Sequence, residues 1–144
     1  MNNSKAAYSV MFACTPYEVL PVFIVFKAKN LWSSWVQNGP KNARYGVSKN
    51  GWFNEETFCE CFETIFIKQW ADKREGPKVV IGDNLASHFS IPVLRKCIEL
   101  GIRFTTLPTN STHLTQVLVS KVYILSIFFY RQCDNFIFMQ NYDA

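Results

Sequence analysis

The stretch KVVIGDNLASHFSIPVLRKCIELGIRFTTL, residues 78–107, decides the fold class. Lys78 to Asp83 is a short β-branched run that ends on an acid, which predicts a buried strand. Ile91 to Leu100 carries helical spacing and is closed by Gly101, and Ile102 to Leu107 reads as the next strand. Strand, helix and strand at this spacing form a βαβ unit, hence a parallel pair with a right-handed crossover. In open α/β sheets chemistry collects at the carboxyl ends of parallel strands. Asp83 and the segment after Leu107 are expected there.

Upstream, Asn54 followed by Glu55 and Glu56 is a helix start, and Phe58, Phe62, Ile65 and Phe66 continue at helical spacing. The helix is predicted to reach about Asp72. Tyr8 to Ala13 and Val19 to Phe26 are apolar and β-branched on either side of Cys14-Thr-Pro-Tyr-Glu, which predicts a β-hairpin. Lys27 to Trp52 is rich in Asn, Ser, Gly and Lys and reads as an ordered loop. Its tryptophans, Trp32, Trp35 and Trp52, are expected to anchor in the core together with Trp70. Cys59 and Cys61, two apart on one helix, face different ways and are expected to pack rather than chelate.

With 144 residues, 49% apolar and 18% charged, the chain is too rich in apolar and aromatic side chains for disorder and too short for two full domains. The net charge of +4 favours an anionic partner only mildly. Five cysteines, an odd set without a CxxC pair, support neither a disulfide framework nor a zinc ribbon and argue for reduced thiols. No charged and then apolar leader follows Met1, so an intracellular or nuclear location is expected. Val117 to Tyr130 is apolar but short and interrupted by Lys121, which argues against a membrane span. Asn135 to Met139 is apolar again, with no periodic partner and a tendency to aggregate if left unpaired.

Two segments carry candidate chemistry. Asp83, Asn84 and His88 place a carboxylate, an amide and an imidazole just past a buried strand, where an Asp can bind a hard divalent cation through oxygen. On the pattern alone the plainer reading prevails, in which Asp83 and Asn84 form a turn and Ser87 and His88 cap the next helix. Leu107 to Gln116, LPTNSTHLTQ, includes Asn110, His113 and Gln116 in a loop whose backbone N–H groups suit a phosphate.

Together with the upstream block FKAKNLWSSWVQNGPKNARYGVSKNGWFNEETF, the segments GDNLASH and LPTNSTHLTQ resemble the DDE superfamily endonuclease domain of pogo/tigger-type transposases. Their domesticated Jerky-like and centromere-protein-B-like relatives share the pattern. The resemblance covers roughly residues 8–118, three blocks in the family's order and spacing, and fades after Leu118. It implies a ribonuclease-H-like α/β fold, a mixed sheet with flanking helices, in which three carboxylates hold two Mg²⁺ ions for strand cleavage and transfer. Asp83 matches the second carboxylate. Asn84, His88, Asn110, His113 and Gln116 match supporting positions around the metal or the DNA strand.

The sequence departs from that pattern twice. The third carboxylate belongs in a Gln-Pro-Leu-Asp motif, and here Gln116-Val117-Leu118-Val119 puts a valine in its place. The first belongs on a strand preceding the hairpin, and this chain begins a few residues before Tyr8, so the expected fold lacks its first strand. That strand lies centrally in the family's sheet, between the hairpin and the strand that leads to Asp83. Its loss would leave two unpaired edges, to be closed by a rearrangement, a partner chain or the apolar tail. The expected organisation is therefore a partial endonuclease-like domain over 1–119 and a divergent apolar tail over 120–144.

Asp83 alone is expected to bind Mg²⁺ weakly, and no strand transfer is expected. Weak, non-specific DNA contact through backbone charge remains, with Lys27, Lys29, Lys41, Arg44 and Lys49 as the nearest cluster, or as an ordinary solvated face. No membrane and no small-molecule substrate are expected. The competing reading is a Mg²⁺-dependent endonuclease whose missing carboxylates lie outside this chain, or whose third is Asp134.

Overall fold

The computed structural model describes residues 7–15, 17–70, 76–82, 89–106 and 136–143. They form one six-stranded mixed sheet in the order β3-β2-β1-β6-β4-β5, with helices packed on it. The strands are β1 (Tyr8–Cys14), β2 (Phe23–Lys27), β3 (Arg44–Ser48), β4 (Lys78–Gly82), β5 (Ile102–Thr106) and β6 (Phe136–Asp143). The expected hairpin is present: β1 and β2 pair antiparallel, with Val10 opposite Ile24. The expected βαβ unit is present too, since helix α3 (Ile91–Glu99) joins β4 to β5 and these strands pair in parallel, Val80 opposite Phe104. Gly101 closes α3 at φ +64°, a conformation that costs glycine little.

Two features depart from the sequence reading, and one of its open alternatives is decided. Arg44 to Ser48 is a strand rather than loop, held by parallel pairing with β2. Ser33–Val36 forms a short helix, α1, whose Trp35 packs on Phe26 at 5.2 Å between ring centroids. The inner edges of β1 and β4, expected to be closed by a rearrangement, a partner chain or the apolar tail, are closed by the tail. β6 lies between β1 and β4, antiparallel to the first and parallel to the second, with Ser9 opposite Asp143 and Ile81 opposite Phe138. The apolar end of the tail therefore pairs on both sides, which removes the exposed edge that would template aggregation.

Alternation along the strands sends Met11, Ala13, Phe23, Val25, Val80 and Met139 to one face, where they meet the helices in a single core. Helix α2 (Glu55–Cys61) starts on a reciprocal cap, in which Asn54 Oδ1 accepts the Thr57 N–H at 2.9 Å and Thr57 Oγ1 accepts the Asn54 N–H at 3.0 Å. Asn54→Ala is expected to cost about 1 kcal/mol, readable as a drop of a few degrees in thermal midpoint without loss of cooperativity.

The helix continues as a π-helical segment over Phe62–Ile67. Closing turns i→i+5 there keeps Phe58, Phe62 and Phe66 on the buried side, with Phe62 and Phe66 edge-to-face at 5.7 Å. Cys61 is buried behind them as a packing residue, as expected, while half-buried Cys59 sits at the margin with Sγ 3.7 Å from Glu63. On the surface, Lys96 of α3 pairs with Glu63 at 2.8 Å. This pair holds the Glu63 carboxyl below its ordinary range and Lys96 above its own. Its small contribution is present between those ranges and fades as pH falls through the Glu63 pKa or rises through that of Lys96.

Candidate nucleic-acid edge of the sheet

β2, β3, β4, β5 and β6 all run one way and β1 alone runs the other. Their carboxyl ends therefore share one edge of the sheet, at Lys27, Ser48, Gly82, Thr106 and Asp143. Asp83 follows directly on β4 in the chain, and LPTNSTHLTQ follows directly on β5. The site residues read from the sequence, Asp83, Asn84, His88, Asn110, His113 and Gln116, lie outside the described residues, as do Val119 and Asp134. What is described is the frame: Gly82 is buried, and the parallel pairing of β4 with β5 brings the two attachment points to the same end, Gly82 opposite Thr106.

Among the described residues no group of three or more His, Cys, Asp or Glu side chains could hold a metal ion. The thiols there are free, and burial pushes the Cys97 pKa up to about 11 and that of Cys61 upward as well. They stay protonated at neutral pH and are poor metal ligands or nucleophiles. Because both are raised above the ordinary 9.0, their part of the stability is intact below pH 9 and is lost as pH climbs towards the folded values.

Similarity to known proteins agrees with the blocks that flank this edge. Residues 5–132 match the model of the DDE superfamily endonuclease family. The chain belongs to that family. Divalent-metal chemistry on nucleic acid is the family's general activity, and the mixed α/β sheet is consistent with such a nuclease. A further relative is a protein named MFS-type transporter clz9 from Cochliobolus lunatus, 34% identical over 98 residues. That match takes in 67% of this chain and 11% of the relative, so the chain spans about a ninth of its length. Among the described residues no helix is long and apolar enough to cross a membrane. No solved structure matches.

The same edge holds residues that the sequence reading placed elsewhere. Trp32, Trp35 and Trp52, expected in the core, are 62%, 42% and 58% exposed, and only Trp70 is buried. Their neighbours in sequence carry the signal that could have shown this. Lys27 to Trp52 contains five Lys and Arg residues and no Asp or Glu, and it lacks the apolar spacing that would bury several indoles at once.

The strand ends there are fixed closely. Ser48 Oγ donates to the Trp52 carbonyl at 2.8 Å and accepts the Gly51 N–H at 3.0 Å. Asn50 Oδ1 accepts the Trp52 N–H at 3.1 Å, and Ser9 Oγ donates to the Gly51 carbonyl at 2.8 Å. Gly51 sits at φ +84°, and a Cβ on it would lie 2.7 Å from the Ala7 carbonyl oxygen, so only glycine fits that turn.

Proposed function

We propose that the chain is a transposase-derived domain of the pogo/tigger type, acting in the nucleus, that contacts DNA non-specifically and does not cut it. The observation that carries this is Val119, which stands where the family's third carboxylate belongs, since a valine cannot ligate a metal. The place of β6 supports it. The resemblance reserves the position between β1 and β4 for the strand that bears the first carboxylate, and here FIFMQNYD fills it with its acid only at the last residue, Asp143.

On this reading Asp83 is the one of the family's three carboxylates that residues 1–144 keep in its matching position. One anion offsets little of the dehydration and mutual repulsion of two divalent cations, so Mg²⁺ binds there weakly and without the pairing that strand cleavage needs. Asn84, His88, Asn110, His113 and Gln116 are assigned the supporting role towards the DNA strand that the resemblance implies. DNA contact without metal is governed by lysine and arginine against phosphate, and its affinity falls as salt displaces the counterion gain.

Fluorescence anisotropy of a labelled DNA fragment, titrated with the full chain in Mg²⁺ and in EDTA, checks this. The expected result is equal affinity under both conditions, declining steeply with salt. Binding that requires Mg²⁺ would favour the endonuclease reading instead, with its other carboxylates supplied from outside residues 1–144.

A further inference from the structure

Residues 27–52 hold Lys27, Lys29, Lys41, Arg44 and Lys49 and no acid, so this one segment outweighs the net +4 of the whole chain and leaves the remainder slightly acidic. Parallel pairing divides those cations. Arg44 stands opposite Phe23 at the start of β2, whereas Lys27 stands opposite Ser48, so Lys27, Lys29 and Lys49 gather at the carboxyl edge and Lys41 and Arg44 at the other end. Lys27 and Lys29 are held beside the Ser48–Trp52 turn, because the Lys27 N–H bonds the Ala7 carbonyl at 3.0 Å and the Ala28 N–H bonds that of Ser48 at 3.1 Å. All three lysines are exposed.

Trp52 leaves this turn more than half exposed, although the backbone under it is fixed by the hydrogen bonds of Ser48, Asn50 and Ser9. Trp32, also exposed, follows Lys29 by three residues. An indole held outward by a rigid turn, beside cations and without a single acid in the segment, is complementary to a partner that combines a flat π-face with negative charge. An unpaired base on a phosphate backbone offers both, whereas in a duplex the base faces are already stacked.

We propose that this edge docks single-stranded DNA, with a base stacked on Trp52 and the backbone phosphates against Lys27, Lys29 and Lys49. The proposal rests on the DNA-contacting reading above and names the form of DNA and the residues that take it. Stacking on an indole is tolerant of base identity, so the surface selects strand state rather than sequence.

The test is a titration of the full chain with oligothymidine and with a duplex of equal length, read by quenching of tryptophan fluorescence and by anisotropy of a labelled strand. The single strand binds tighter than the duplex. Trp52→Ala weakens it by about fivefold or more and Trp52→Phe keeps most of the affinity, as expected for stacking. Replacing Lys27, Lys29 and Lys49 by Gln flattens the slope of log K against log salt by about 2. Circular dichroism of each variant confirms an unchanged fold. If the parent binds DNA but Trp52→Ala binds the single strand equally well, or the duplex binds as tightly, this docking surface is wrong and the general DNA-contacting reading stands. If neither form of DNA binds, both fall.

Discussion

A chain ending at Asn135 is expected to lose cooperative thermal unfolding altogether. β6 is the strand that joins the two halves of the sheet, β3-β2-β1 on one side and β4-β5 on the other, and its removal leaves β1 and β4 each with an unpaired edge. It also removes Met139, which is fully buried among the strands of the core. Against a net stability of about 5–15 kcal/mol for a domain of ordinary size, the loss of a central strand and both its ladders exceeds what the remaining helix packing between the halves can offset. Met139→Asp in the full chain gives a milder form of the same result, since an unpaired carboxylate there must either protonate or drag water into the core. Differential scanning calorimetry of both variants checks this. A sharp transition near the parent's midpoint from the shortened chain would mean that β6 contributes little to the fold.

Phe62→Ala carries the next largest effect, about 3–5 kcal/mol of destabilisation. Phe62 is fully buried at the junction of α2 and the π-helical segment, in ring contact with both Phe58 at 6.3 Å and Phe66 at 5.7 Å. Truncation therefore loses the transfer energy of the ring, two aromatic contacts and the support of a helix segment whose hydrogen-bond ladder is already shifted. Phe62→Leu recovers most of the loss because it refills the space. Urea denaturation distinguishes the two by midpoint, and equal midpoints for Ala and Leu would show that the site collapses around the gap.

Much of the fold was legible because its signals are local. The hairpin, the Asn54 helix start, α3 with Gly101 and the parallel β4–β5 pair are each written in neighbouring residues as periodicity, caps and turn formers. β3 was not, since Arg44 to Ser48 carries a glycine and polar flanks, and only pairing with β2 makes it a strand. β6 was foreseen only as one of three ways to close the sheet. The register that places it, Ser9 against Asp143, spans nearly the whole chain and leaves no trace in either segment alone. The tryptophans were misread for a different reason: hydrophobicity favours burial on average, but the cations and the absence of acids around them were the better guide to exposure. The candidate chemistry was legible only as motifs: GDNLASH and LPTNSTHLTQ follow adjacent parallel strands in the chain, and their site residues lie outside the described residues.

The most direct test of the central claim is a cleavage assay on the full chain with Mg²⁺ or Mn²⁺, run beside Asp83→Ala, on supercoiled and on single-stranded DNA. No strand breaks above background are expected from either protein, while both still bind the DNA. Metal-dependent nicking by the parent that disappears in Asp83→Ala would contradict it and would make this domain a working nuclease.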